Sequence, residues 1–453
     1  MDTAEIRPPL FSNRKLVSLT IPVVFDAMLA ILVGMVDTAM VSSAGEAAVG
    51  AVSLIDSLNW LFLSVFSAIG IGGSVITAQY IGNQNYRGAS NSANQLIYLV
   101  TGMSSLCMLV LLCFRKSVLH IVYGGIAPDV FAHAERYFFF TLLGYPLFSI
   151  GAACGSILRA MGKNRQAVTI TIVANLCNVV GNATFIYGFH MGAAGAGLST
   201  TLCRVIYAGL GLYLAHSKKL PASLENLLHL RIDFGMMKRV LRIGIANGME
   251  NGLFQVGKVL VASLVSSLGT VAIAANSVTF TINNIGWSAV NAFGTVLLTV
   301  VGQCIGAGQP GQAKTYIKKF MFAATTCGVI MFSTIFLLRH QILRLYSFEA
   351  ETLETAAYFI GFCALGAIFS GYCFAFVPTS AFRAAGDVRY PLTLSICSMF
   401  ALRVALCYLL NALFPSMGLM CVYIGMMADW FVRAVLNLIR FRSGKWLKKA
   451  LID

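Results

Sequence analysis

Hydrophobic positions fall in long blocks separated by short polar or glycine-rich stretches. Blocks near the roughly 20 residues that cross a bilayer occupy 16–41, 51–80, 92–114, 136–158, 166–188, 194–215, 240–267, 271–302, 316–338, 355–381, 391–413 and 417–439. The pattern predicts about twelve membrane-spanning helices. The informative positions are the polar ones inside them. The first block carries two acids, Asp26 and Asp37. At about 100° per residue, eleven residues bring both carboxylates to one stripe of a helix, about 16 Å apart along its axis. A carboxylate in hydrocarbon costs several kcal/mol unless it faces protein, water or a partner, so two on one stripe predict a polar cavity lined by this helix.

The chain then repeats itself. Ile245–Ser277 restates the pattern of Ile21–Ser53, with Glu250 where Asp26 stood, 224 residues on. Gln79–Gly82 (QYIG) returns as Gln303–Gly306 (QCIG), Gly45 as Gly269, Leu158–Gly162 (LRAMG) as Phe382–Gly386 (FRAAG), and Arg165 as Arg389, all at the same shift. Agreement at one shift over spaced positions marks an internal duplication. Six spans per half make the repeats parallel, related by an axis along the membrane normal. The expected organisation is a first lobe over 1–217, a basic linker over 218–239, and a second lobe with a basic tail over 240–453.

Composition agrees: 58% hydrophobic, 11% charged, mean hydropathy +0.79. That balance excludes a soluble globular domain and identifies an all-α integral membrane protein. The polar N-terminal stretch precedes a span too long for a signal-peptide core, so nothing is expected to be cleaved. Twelve cysteines lie scattered through apolar runs without paired spacing, which reads as small core residues rather than disulfides or a metal site. A net charge of +15 raises nucleic acid as a partner, but its distribution argues otherwise. With the N-terminus inside, the inner segments, Arg7, Lys218, Lys219 and Lys449 among them, hold twenty-three Lys and Arg and the outer loops five. That is the positive-inside bias, with both termini cytoplasmic in a cell membrane and no nucleic-acid role. The other four, Arg204, Lys258, Arg403 and Arg433, lie within spans.

The run VDTAMVSSAGEAAVGAVS, the loop motifs LRAMGKNR and FRAAGDVRYP, the pair NVVGNATFIYG and GAAGAGLST, and the duplicated six-span layout resemble the multidrug and toxic compound extrusion (MATE) transporters over nearly the whole chain. The resemblance implies a small-molecule exporter of hydrophobic or cationic compounds. It would be driven by Na⁺ or H⁺ through alternating access of two lobes around a central cavity. It implies no cofactor beyond that ion, and a monomer is expected. Asp37 matches the family's acidic cation-binding position in the first span; Asn178, Asn182 and Thr200 match the accompanying positions on the fifth and sixth spans. Asn182 stands where many members carry Asp, which removes one charge from a Na⁺ cage. Glu250 matches the acid of the seventh span, while its partner acid on the tenth span is missing, since Phe359–Phe382 contains none.

Each residue has a plainer reading beside the functional one. Asp37 is either a structural acid satisfied by Asn178, Asn182 or Thr200, or the coupling site. As that site it suits H⁺, because burial favours the neutral acid, and Na⁺, because carboxylate, amide and hydroxyl oxygens form a hard-cation set. Glu250 is either part of an ion-pair network bridged through Gln255 or another helix, or a counter-ion, with Lys258 two turns away as a modulator. Asp26 would line the inner part of the same path. Tyr145, Trp287 and Phe374 are candidates to stack on a planar cation. Arg159 and Arg383 read as helix-end pins on headgroups or last-turn carbonyls. Arg403 and the pair Asp429/Arg433 read as structural, Arg204 as snorkelling to the inner face, and Asp56 as wet. Pro22, Pro146 and Pro378 permit bends.

Two other classes compete. A flippase for a lipid-linked saccharide would show extra spans and a strongly cationic cavity. An intramembrane enzyme would bring a base to a nucleophile, yet His120, His133, His190, His216, His229 and His340 fall in loops or at span ends. No catalytic residue is expected.

Overall fold

The computed structural model describes residues 8–43, 45–124, 127–217, 220–224, 227, 231–344, 346 and 348–448. Arg7, Lys218, Lys219, His229 and Lys449 lie outside them, as does much of the expected linker. The described chain is helical: α1 (Asn13–Ser42), α2 (Glu46–Gly82), α3 (Tyr86–Tyr123), α4 (Pro128–Leu143), α5 (Tyr145–Ala160), α6 (Asn164–Asn182), α7 (Gly192–Ala215), α8 (Phe234–Ser266), α9 (Thr270–Gly306), α10 (Pro310–Leu343), α11 (Ala350–Phe369), α12 (Tyr372–Ala384), α13 (Arg389–Ser398), α14 (Leu406–Leu413) and α15 (Met420–Ser443). Ten helical stretches among the described residues are long and apolar enough to span, and the bent pair α4–α5 makes an eleventh. α8, which carries Glu250 and Lys258, is 33 residues long but less apolar, so the described residues hold about ten to twelve spans.

Two expected spans are each two helices. The block 136–158 divides at Gly144, where α4 and α5 meet at 47°. A Cβ at Gly144 would lie 2.6 Å from Arg204 Cδ, so a larger residue there would have to displace the end of that arginine side chain, and Pro146 sits in the first turn of α5. The block 355–381 breaks at Ser370 and Gly371, where Gly371 has φ 72°. The fifth span of each half is instead loosened into π-helix: α6 runs on as Ala183–Gly188, and Met399–Ala405 joins α13 to α14. A π turn carries an extra residue and shifts the side chains around it. Buried Asn182 and Arg403 sit there.

The duplication is visible in the backbone. α2 and α9 are both 37 residues long and open on Gly45 and Gly269, each with φ 99°. Gly162 and Gly386 repeat likewise, with φ 70° and 87°. Contacts gather Phe25–Gly248 into one compact unit, and residues up to Val24 with those from Met249 onward into another. The divisions fall inside α1 and α8. In the first unit α4 and α5 both pack against α2, α3 and α7, with Phe138 and Leu142 of α4 and Tyr145 of α5 fully buried. Lipid is as apolar as these side chains, so close packing rather than expulsion from water holds them. α8 opens in this unit on Asp233, which accepts from Met236 N at 3.0 Å and from Asn91 Nδ2 at 3.1 Å. Those donors hold its carboxyl below the ordinary carboxylate range. In the second unit α9 packs on α10, α11 and α12, and α15 on α12; Tyr316 Oη bridges Phe11 N and O, both at 2.9 Å.

Candidate cation and substrate sites

The first unit holds a cavity of about 370 Å³ lined by Gly34, Asp37, Asp56, Asn178, Thr200 and Arg204, among others. Three of the four positions expected to hold a cation therefore line one space. The fourth, Asn182, donates its side-chain amide to Asp37 Oδ1. Asn182 is fully buried, and its own Oδ1 accepts no hydrogen bond among the described residues. Ser199 fixes Asn178, its hydroxyl donating to the Asn178 carbonyl at 2.9 Å.

Two wall residues differ from expectation. Asp56 is not simply wet: Tyr137, 3% exposed, donates its hydroxyl to Oδ1 at 2.7 Å. Arg204 does not snorkel. It is 8% exposed, donates to the Thr141 carbonyl at 2.8 Å and lies over the Phe148 ring at 5.6 Å. Thr141 is in the last turn of α4, and its carbonyl accepts from Gly144 N at 3.2 Å as well as from the guanidinium. The break at Gly144 thus supplies both the passage and the acceptor for this guanidinium. The cavity wall carries two carboxylates and one guanidinium, a surplus of negative charge.

The second unit is built differently. Glu250 accepts from Arg383 Nη2 at 2.7 Å on one oxygen and from Ser395 Oγ at 2.7 Å on the other. Arg433 donates to that same Ser395 hydroxyl at 3.0 Å and to its carbonyl at 3.1 Å. One turn along α15, Arg433 Nε holds Asp429 Oδ1 at 2.7 Å, and Arg403 Nη1 approaches Asp429 Oδ2 at 3.9 Å. Phe254 lies among the cations, 5.4 Å from Arg403, 5.4 Å from Arg433 and 5.3 Å from Lys258.

Arg383 is therefore a partner of Glu250 rather than a pin on headgroups. Its counterpart 224 residues earlier, Arg159, is the cation whose field acts on Asp26, and it also reaches Ser156 Oγ at 3.4 Å. Each half thus sets an acid of its first helix against an arginine at the end of its broken fourth span. Both members were visible at the common shift; their association was not.

A family model, MatE, matches residues 22–184 and again 248–409. The chain belongs to the MATE family. The duplicate match reproduces the two halves read from the 224-residue shift. Relatives include the probable multidrug resistance protein NorM of Thermotoga maritima, 24% identical over 97% of this chain and 94% of that one. Another is the multidrug resistance protein MdtK of Edwardsiella ictaluri, 25% identical over 96% of both. The fold matches an outward-facing multidrug resistance MATE transporter with a TM-score of 0.88, 20% identity and 95% coverage of both chains. The protein is accordingly a multi-pass membrane protein of a transporter family, with two repeated lobes.

Within this MATE fold several expected positions take other places. Lys258 does not act on Glu250 through an ion pair, and Gln255 makes no bridge; Gln255 has no hydrogen bond among the described residues. Tyr145 is enclosed in the first unit's core, donating to Asn59 Oδ1 at 2.9 Å, and is not part of the wall around Asp37. Trp287 is buried in a ring cluster with Phe280, Tyr372 and Trp430. Phe374 lines a groove of about 580 Å³ with Lys314, Lys318 and Arg442. Asp26 is half-buried, and its Oδ1 accepts no hydrogen bond among the described residues.

Proposed function

We propose that this protein exports hydrophobic or cationic small molecules across the cell membrane in exchange for Na⁺ or H⁺, as a monomer with both termini in the cytoplasm. Asp37 is the residue that takes the coupling ion. The observation that carries the reading is the cavity around Asp37, Asn178 and Thr200 with Asn182 bonded to the acid. The multidrug resistance names of the relatives support the substrate class.

Ionised Asp37 accepts the Asn182 amide, and that leaves the amide oxygen without a donor. A proton on Asp37 converts an acceptor into a donor, and Na⁺ demands oxygens rather than an NH₂ group. Either cation therefore turns the Asn182 amide round, bringing its unpartnered oxygen to the site. The π segment begins at the next residue, Ala183, and is the element whose backbone this reversal would act on. A cation that favours one arrangement shifts the populations of the two access states. A flippase for a lipid pyrophosphate calls for a cationic cavity, and Asp37 and Asp56 against Arg204 favour a cation here instead.

The test is dye efflux from proteoliposomes under a separately imposed Na⁺ or pH gradient. Wild type should move a cationic dye with one gradient, and Asp37→Asn should lose that movement while retaining its fold. Full transport by the variant would remove Asp37 from the role.

A further inference from the structure

Charge inside the second unit does not balance. Among the described residues its spans set Lys258, Arg403 and Arg433 against Glu250 and Asp429, and both Glu250 oxygens are already taken, by Arg383 at the span end and by Ser395. Lys258 has no ion pair or hydrogen bond among the described residues. Its ammonium rests 5.3 Å from the Phe254 ring centre and 5.2 Å from that of Phe280. Arg403 is 8% exposed, yet its five N–H donors make no hydrogen bond among the described residues; its one charged contact is Asp429 at 3.9 Å. Lys258 and Arg403 both lie against the one Phe254 ring, at 5.3 Å and 5.4 Å from its centre. Cation–π contacts return less than an unpaired ion costs away from water. A cation held at this depth is a site looking for an anion.

We propose that Lys258 and Arg403 bind the carboxylate of a zwitterionic or anionic aromatic substrate. Phe254 and Phe280 lie against its ring system, and Trp287 backs Phe280 at 5.1 Å. The guanidinium offers a planar fork to two carboxylate oxygens and the ammonium a compact charge. The inference rests on the efflux reading and narrows it: beside purely cationic compounds, the protein takes those that pair a carboxylate with an aromatic body.

The experiment is equilibrium binding to the purified full-length protein, followed by fluorescence anisotropy. The probes are a rhodamine with a free carboxylate and its ethyl ester, against wild type, Lys258→Met and Lys258→Arg. The acid-to-ester affinity ratio is expected to fall about tenfold in Lys258→Met and to be kept in Lys258→Arg. A ratio unmoved by Lys258→Met overturns the inference, and so does an equal loss of both dyes, which would make Lys258 structural. Exchanging chloride for gluconate separates the remaining anion source. Chloride-dependent thermal stability that disappears in Lys258→Met, with the dye ratio unmoved, assigns the site to an inorganic anion and also overturns it. Binding needs no gradient, so absence of coupled efflux in liposomes defeats the exchange reading while leaving this result intact.

Discussion

Asp37 and Asp429 are both carboxylates inside spans, one in each unit, and their surroundings are nearly opposite. Asp37 meets a neutral amide and a cavity, with a second acid, Asp56, on the same wall. Asp429 is 0% exposed, held at 2.7 Å by an arginine one turn away and approached by another. The first acid can change its charge with only an amide to reorganise. The second cannot without leaving two guanidiniums unpaired. Depth in the membrane therefore does not by itself make an acid functional; what matters is whether its partners can accept its neutral form.

The strongest way to break that contrast is to remove each charge in turn. Asp429→Asn is expected to destabilise the protein by about 3–5 kcal/mol, the cost of breaking a buried pair. Asp37→Asn should leave the unfolding midpoint near wild type and affect transport alone. Thermal unfolding in detergent decides this, and equal midpoints for the two variants would end the comparison.

A smaller effect sharpens it between the repeat-related acids. Glu250→Gln removes the acceptor of two charge-assisted or hydroxyl bonds and should cost about 1.5–3 kcal/mol. Asp26→Asn should cost less than half of that, because one Asp26 oxygen already lacks a hydrogen bond. Denaturation of the single and double variants would test both the order and the additivity expected of separate sites.

The smallest effect uses an acid outside the spans as a reference. Asp233→Ala should cost about 1 kcal/mol at neutral pH through loss of the cap on α8. Its folded pKa lies below the ordinary value, so its contribution is fully present above the unfolded pKa. It fades as pH falls through the folded one. The gap between wild type and variant should thus be constant from pH 6 to 8 and shrink in acid. A gap that widened in acid would contradict the bonding seen at Met236 and Asn91.

Much of this architecture was legible because membrane spans announce themselves by length and the duplication by a fixed shift. Asp37, Asn178, Asn182 and Thr200 were found by family pattern, and three of them do line one cavity. What escaped shares one cause. Arg204 with Thr141, Tyr137 with Asp56, and Glu250 with Arg383 are pairs separated by 63, 81 and 133 residues. No periodicity links such partners. The helix break at Gly144 was hidden for a related reason: Leu142, Leu143, Tyr145 and Pro146 read as more of one apolar block. The close approach of Arg204 to that glycine comes from a helix sixty residues on and is visible only in the structure.

Gly45 and Gly269 carry a last consequence. A φ of 99° with extended ψ belongs to a region that essentially only glycine occupies, and both turns adopt it at the start of equal-length helices. Neither position has an atom within 4 Å of where a Cβ would stand, so the constraint is conformational and not a matter of room. Since the duplication, then, the two halves have drifted with their helix starts clamped alike, while the ionisable residues between those clamps diverged. One half's tolerance to substitution at its turns serves as a map of the other's. The chemistry each half performs has to be learned separately.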